Sequence, residues 1–258
     1  MVRSAGIDIG SRTVKAIIVD DGKIAFEHKT INSYDPIKVC VEILGNVQYD
    51  IITATGYGRH TFRNYFPSEI ISEISAFARG AKSLFENCHT ILDIGGQDTK
   101  VISLDDKGKV RKFEMNDRCA AGTGRFLEIM ASTLGFSLDD FAKAAISAEK
   151  AVKINSMCTV FAESELISLT AKGASRESLA LGIHESIALR SISMLQRVSI
   201  EDDVVFAGGV ALNPCMKNII EHHTGRKLCI PDDPQLVGAL GCALLGAQNF
   251  SQAGNLPV

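Results

Sequence analysis

Long apolar runs are missing from this 258-residue chain, in which no segment approaches the ~20 consecutive apolar residues that a membrane-crossing helix needs. Met1 leads straight into strand-forming sequence without a leader-like basic and apolar pattern. A cytoplasmic protein with no membrane partner is therefore expected. Lysine and arginine form no block, and the net charge is -3 with a pI near 6.1, so the electrostatic footprint of a nucleic-acid binder is absent. The seven cysteines, at 40, 88, 119, 158, 215, 229 and 242, include no CxxC pair and are odd in number, which argues against a secreted disulfide framework. Most are expected to be reduced core thiols. Neither GxxxxGK[ST] nor GxGxxG occurs, so a bound nucleotide requires a different cradle.

With 46% apolar residues, the chain has enough material for one large domain or two modest ones, and two are read. The informative feature is a duplication. Asp8-Ile9-Gly10-Ser11-Arg12-Thr13-Val14-Lys15 recurs as Asp93-Ile94-Gly95-Gly96-Gln97-Asp98-Thr99-Lys100, and each copy runs on to a second turn at Asp21-Gly22 or Lys107-Gly108. Both copies read as a strand, a tight glycine turn and a returning strand, that is, a β-hairpin continuing into a meander. A carboxylate at the end of a buried strand, glycine amides able to meet an anion, and a lysine one strand-length away point to phosphate. A single copy would more commonly be a plain turn; the repeated offsets favour a nucleotide cleft.

The first lobe, residues 1–87, reads as strands followed by helical segments, with a helix near 73–85. The second, residues 88–258, shows helical patterns near 125–134, 160–172 and 178–197, then a strand near 203–207 meeting Gly208-Gly209. Gly135 and Gly173 fall where helix-ending glycines belong. The segment 237–248 reads as a helix of small residues suited to close packing, expected to pack back on the first lobe.

The two hairpins, together with the late turn Phe206-Ala207-Gly208-Gly209-Val210-Ala211-Leu212-Asn213-Pro214, resemble the nucleotide cleft of the acetate and sugar kinase, heat-shock chaperone and actin superfamily. That resemblance implies an α/β fold of two ribonuclease H-like lobes with an ATP cleft between them. It assigns Gly10, Ser11, Arg12, Thr13, Val14 and Lys15 to the first phosphate loop, the stretch from Asp93 to Thr99 with Gly95, Gly96 and Gln97 to the second, and Ala207, Gly208 and Gly209 to the adenosine pocket. Asp8 and Asp93 become the groups that orient Mg²⁺ through its waters or place the attacking water, with Gln97 a candidate for orienting the γ-phosphate or that water. Arg12 stands where the superfamily commonly has a small hydroxyl residue, and Ala207 offers only its backbone. For Lys15 and Lys100, a phosphate neighbour and a solvent-facing hairpin lysine are both open.

Two further segments narrow the resemblance. Asn116-Asp117-Arg118-Cys119-Ala120-Ala121-Gly122-Thr123-Gly124-Arg125-Phe126 and Asn155-Ser156-Met157-Cys158-Thr159-Val160-Phe161-Ala162-Glu163-Ser164-Glu165 resemble the ATPase family that includes the activators of 2-hydroxyacyl-CoA dehydratases and the ATPase subunits of benzoyl-CoA reductase. The likeness extends to Ala54–Arg59 and to the tail from Gln235, which matches a position near the nucleotide. It implies that Cys119 and Cys158 from each of two identical subunits hold one 4Fe-4S cluster, that ferredoxin or flavodoxin donates an electron, and that an iron-sulfur dehydratase or reductase accepts it while ATP is hydrolysed to ADP. Spacing alone would read both cysteines as ordinary buried thiols near helix starts. Two thiolates leave a cubane half-ligated, so twofold symmetry must supply the rest. Each cysteine precedes a helical pattern, whose free N-terminal amides are expected to favour the anionic cluster by a few tenths to ~1 kcal/mol each. The competing readings are an ATPase serving benzoyl-CoA reductase or another double-cubane partner, a small-molecule kinase on the same scaffold, and a metal-free assembly ATPase.

Overall fold

The computed structural model describes residues 2–156, 158–201 and 203–253; Met157 of the second cysteine segment lies outside the described residues. The chain divides into two compact units, one of residues 1–89, 104–111 and 231–258, the other of residues 90–103 and 112–230.

In the first unit, β1 (Arg3–Ile9), β2 (Thr13–Asp20) and β3 (Lys23–Ile31) form an antiparallel meander. Its second turn places Asp21 and Gly22 at φ 48° and 75°, the mirror-image geometry that matches strand twist and that Asp-Gly tolerates. Helix α1 (Pro36–Leu44) leads to β4 (Ile51–Thr55), parallel to β1. Then α2 (Arg59–Tyr65), β5 (Glu69–Ile70) and α3 (Glu73–Leu84) follow, giving the order β3-β2-β1-β4-β5. Side chains alternate across the sheet. Ala16 and Ile18 join Ile7, Val39, Ile43 and Phe62 on one face, while Ile17 and Val19 meet Leu236, Ala239, Leu240 and Ala243 on the other. The outer strand β3 is mostly exposed and carries Lys23, Glu27 and Lys29, charges that discourage edge pairing.

The second unit repeats the plan. It contains β6 (Thr90–Ile94), β7 (Thr99–Leu104), β8 (Val110–Asn116), α4 (Gly124–Thr133), α5 (Leu138–Ser147), α6 (Thr159–Ala171), α7 (Arg176–Val198), β9 (Val204–Ala207), a 3-10 turn (Gly209–Leu212), α8 (Pro214–Thr224) and β10 (Leu228–Cys229). The order β10-β9-β6-β7-β8 matches the first sheet strand for strand, with β6 antiparallel to β7 and parallel to β9. The duplication seen in the hairpins thus extends to a whole five-stranded sheet. The difference is the insertion between the third and fourth strands: one helix in the first unit, four in the second. Phe126, Met130, Phe141, Ile183, Ile187, Leu195 and Phe206 form the core those helices share with the sheet. Gly135 and Gly173 end α4 and α6 at φ 70° and 89°, as expected from sequence.

Helix α9 (Val237–Ala253) belongs to the first unit and lies on β1 and α3 at backbone distance. A Cβ added at Gly6 would sit 2.1 Å from the Ala239 carbonyl oxygen, and one at Gly241 would sit 1.7 Å from that of Ala76. Small residues in the tail are therefore a packing requirement. No described helix is long and apolar enough to cross a membrane.

Candidate functional site

Strand β1 buries Asp8 one residue before its end, and the hairpin register sets Lys15 directly opposite. Lys15 Nζ lies 3.0 Å from Asp8 Oδ2, both side chains being largely buried. Between them, Gly10 closes the loop by donating its amide to Thr13 O (3.0 Å), and Asn32 holds it from outside, donating Nδ2 to Gly10 O (2.7 Å) and its amide to Arg12 O (2.9 Å). Parallel pairing puts Thr55 beside Asp8, and the chain then turns at Gly56 with φ 86°. A Cβ there would meet Asp8 Oδ1 at 2.5 Å and Ile9 O at 2.6 Å. Helix α9 approaches the same carboxylate: a Cβ at Gly238 would lie 3.3 Å from Asp8 Oδ2. Burial, with the Asp8 charge adding to it, pushes the Cys242 thiol well above its ordinary range.

The second unit builds the same arrangement with one more charge. Lys100, opposite Asp93, donates to Asp93 Oδ2 (3.1 Å) and Asp98 Oδ2 (2.6 Å) and is only 2% exposed. Gly95 donates to Asp98 O (2.9 Å), the counterpart of the Gly10 bond. Gly208, the counterpart of Gly56, has φ 83° and ψ 175°, and a Cβ there would lie 2.4 Å from Ile94 O and 2.5 Å from Asp93 Oδ1. One open alternative is closed here and one expectation is corrected. The lysines are not solvent-facing, because the hairpin register pairs each with the carboxylate across from it. The Gly10 and Gly95 amides are spent on closing their turns and do not point outward.

The remaining phosphate-loop residues sit around these anchors. Arg12 and Gln97 occupy the same exposed position of their two loops, Ser11 and Gly96 are half-buried, and the Val14 side chain is in the core, so only its backbone faces the loop. In the first unit, Gln235 donates its amide to Asp233 Oδ1 (3.0 Å), and Asp233 Oδ2 takes Lys29 Nζ at 2.6 Å, which pins the turn ahead of α9. In the second, Ala207 ends β9 in the core beside Asp93, and Gly209 opens the 3-10 turn. That turn is backed by Asn213, which caps α8 and pairs its Nδ2 with His184 Nε2 (3.0 Å). His184 Nδ1 meets Ala180 O at 2.7 Å, the tautomer that leaves Nε2 an acceptor. Burial pushes His184 down to about 4.

The cysteines separate by exposure. Cys40, Cys88, Cys215 and Cys242 are buried and Cys229 is partly so, whereas Cys119 and Cys158 are exposed, against the reading of them as ordinary core thiols. Burial pushes the Cys40 and Cys215 thiols up to about 12. Cys119 sits in a tight loop in which Asn116 Nδ2 donates to Cys119 O (3.0 Å) and Ala121 O (3.1 Å), and Thr123 Oγ1 donates to Ala120 O (2.7 Å).

That loop is bonded directly to the second phosphate loop. Thr99 Oγ1 donates to Gly122 O (2.7 Å), Gly124 N–H to Gly95 O (2.9 Å), and Arg125 N–H to Gly96 O (2.8 Å). The first amides of α4 are therefore consumed by the phosphate loop, which corrects the expectation that they stay free for a cluster. Cys158 is itself the N-cap of α6, and no side chain caps that helix. Among the described residues, no group of three or more His, Cys, Asp or Glu is placed to hold a metal ion. Sequence gives no sign of Asn32 as a site-forming residue, whereas Thr99, Asn116 and Gly122 lie within the segments that carry the resemblance and only their bonds are new. Gly56 was within reach as the glycine that follows the strand parallel to β1.

A model of the BadF/BadG/BcrA/BcrD ATPase family matches residues 5–246. The chain belongs to this family. It is accordingly an ATPase, and its fold is the two-lobed one of actin-like ATPases and sugar kinases, shared at the level of fold alone with far more distant solved structures. Its relatives include the activator of lactoyl-CoA dehydratase from Anaerotignum propionicum, 44% identical over 93% of this chain and 95% of that protein. The crystal structure of (R)-2-hydroxyglutaryl-CoA dehydratase component A from Acidaminococcus fermentans superposes with a TM-score of 0.89 at 39% identity, covering 97% and 100% of the two chains. The 2-hydroxyisocaproyl-CoA dehydratase activator from Clostridium difficile, solved with bound ADPNP, gives 0.88 at 36% identity over 99% of each.

Proposed function

We propose that this chain activates a 2-hydroxyacyl-CoA dehydratase by ATP-driven one-electron transfer, as a homodimer in which Cys119 and Cys158 of both subunits hold one 4Fe-4S cluster. The observation that carries the reading is the triple hydrogen bond between the second phosphate loop, at Gly95, Gly96 and Thr99, and the Gly122–Arg125 stretch that follows exposed Cys119. A shift of the phosphate loop is passed to the Cys119 loop through these three bonds.

The residues fit the cluster. Two exposed thiols on short, hydrogen-bonded loops are half of the four-cysteine set that a cubane takes, and a twofold axis completes it. When bound, the cluster accepts and releases a single electron. The protein's part is to hold the thiolates, to exclude water and to make the environment of Cys119 depend on nucleotide. A coupling of about 1–3 kcal/mol between nucleotide and cluster corresponds to about 40–130 mV for one electron.

The residues also fit a nucleotide. At both hairpins a glycine with positive φ leaves room beside Oδ1 of Asp8 or Asp93, while Oδ2 meets the hairpin lysine. Ser11, Arg12, Thr13, Val14 and Lys15, together with Gly96 and Gln97, would hold the phosphates on turns closed by Gly10 and Gly95, while Ala207, Gly208, Gly209 and Gln235 would hold the nucleoside. Asp8 and Asp93 would orient Mg²⁺ through its waters. Asp93→Asn is expected to lower ATP turnover about 100-fold, as loss of a charge-placing group does. Turnover at saturating ATP within twofold of the parent protein would contradict this placement.

The dimer reading has its own support on α6. Val160, Phe161 and Ile167 are 68%, 67% and 63% exposed on the helix that Cys158 opens, apolar surface that a second copy would cover. Phe161→Glu is expected to shift the protein to monomer in sedimentation velocity and to abolish iron retention together. A dimer that persists with full iron would contradict the interface.

A further inference from the structure

Between Ala151 and Ser156, ahead of Cys158, the chain runs without regular structure, yet two devices hold it. Upstream, Val152 donates its amide to Ser178 O (3.0 Å), and its carbonyl sits so close to α7 that a Cβ at Gly182 would lie 1.9 Å from it. Downstream, the carboxylate of Glu165 gathers the last described peptides before the cysteine. Its Oε1 accepts from Asn155 N (3.0 Å) and Asn155 Nδ2 (3.0 Å), and its Oε2 from Ser156 N (2.7 Å) and, at 3.2 Å, Asn155 N.

Glu165 lies seven residues beyond Cys158, two helical turns along α6, so the carboxylate shares the face of the helix from which the N-cap departs. Burial works against the charge, but the donors of Asn155 and Ser156 outweigh it and hold the carboxyl at about 2. The anion is therefore present at every working pH. Asn155 is exposed and Glu165 only half-buried, so this set of bonds adds little to the core. What it fixes are the amides of Asn155 and Ser156, three and two positions ahead of Cys158.

We infer that Glu165 is the positioning residue of Cys158: by binding the Asn155 and Ser156 peptides it sets the direction in which the exposed thiol leaves the start of α6. This rests on the reading of Cys158 as a cluster ligand. The two cysteines are then held differently, Cys119 through the nucleotide loop and Cys158 through its own helix. The phosphate loop bonds directly to the loop that carries Cys119, while the bonds that hold the approach to Cys158 come from α6 itself.

The test uses metal-free, reduced, full-length protein under anaerobic conditions, with iodoacetamide labelling of Cys119 and Cys158 followed separately by peptide mass spectrometry. In Glu165→Ala, Cys158 is expected to react about tenfold faster while Cys119 keeps its rate, because the bonds lost are those to a charged acceptor. Glu165→Gln, which keeps one acceptor oxygen, falls between, and Asn155→Ala shifts the Cys158 rate in the same direction. Iron uptake on reconstitution falls in the same order. An unchanged Cys158 rate in Glu165→Ala, with amide exchange at 155 and 156 accelerated, overturns the inference; so does an equal rise at both thiols. Failure of the cluster reading is visible separately, as a parent protein that takes up no iron, and the contrast in labelling still decides the role of Glu165.

Discussion

Cys119→Ala and Cys158→Ala are each expected to abolish bound iron, while Cys215→Ala and Cys40→Ala leave it intact. The contrast follows from exposure and symmetry. Each chain presents two exposed thiols, one in the Asn116–Thr123 loop and one at the cap of α6. A dimer of the parent protein offers four thiolates, the full set for a cubane, and either single substitution leaves two. In the proposed dimer each substitution is therefore a double loss, and a cluster left with two protein ligands is not expected to survive anaerobic desalting. The buried thiols face core neighbours, and burial holds Cys40 and Cys215 protonated at about 12, so neither competes as a ligand. Replacing them costs packing, seen as a lower melting temperature with the same iron content per folded dimer. Iron and sulfide analysis after reconstitution, with the absorbance of the brown protein, gives the readout. Full iron in Cys119→Ala would remove the basis for the shared cluster.

The hairpin duplication was legible because strand, glycine turn and returning strand are local: Asp8 and Lys15, like Asp93 and Lys100, are seven positions apart and meet across one ladder. The longer helices 73–84, 124–133 and 176–198 were legible from apolar period and from glycine stops. Other elements were hidden. Helix α5 begins at Ser137 with Asp140 three residues on, a capping signal that was passed over. Helix α8 opens on Asn213-Pro214, which reads as part of the glycine turn until the side chain of Asn213 is seen to cap it.

The place of the lysines stays open at the level of sequence because sequence shows spacing but not register. Once β2 pairs with β1 and β7 with β6, each Nζ meets the opposing carboxylate, and that of Lys100 meets Asp98 as well. The bond from Thr99 to Gly122 joins residues 23 positions apart in different elements, and no local pattern announces it. The same holds for the reach of Glu165 back across Cys158 to Asn155, which needs the start of α6 to be known before the carboxylate can be placed under it.

Gly208→Ala is expected to destabilise the second unit by about 3 kcal/mol or more and to raise the nucleotide dissociation constant more than tenfold. Two independent costs add. The backbone at φ 83° and ψ 175° is open almost only to glycine, and the new methyl carbon would lie 2.4 Å from Ile94 O and 2.5 Å from Asp93 Oδ1. Relief requires either that β9 part from β6, which breaks the sheet, or that the Asp93 carboxylate turn away, which removes it from the site. Gly225 supplies the control: its φ of 63° is also left-handed, but a Cβ there meets nothing within 4 Å. Gly225→Ala therefore isolates the conformational cost, about 1 kcal/mol, and leaves nucleotide affinity unchanged. Gly56→Ala in the first unit, against Asp8 Oδ1 at 2.5 Å, is expected to behave like Gly208→Ala. Thermal unfolding and calorimetric titration with a non-hydrolysable ATP analogue measure both quantities on the same preparations. If Gly208→Ala and Gly225→Ala lose equal stability and both bind nucleotide normally, the close approach of backbone to carboxylate has no functional weight, and the glycine serves the turn alone.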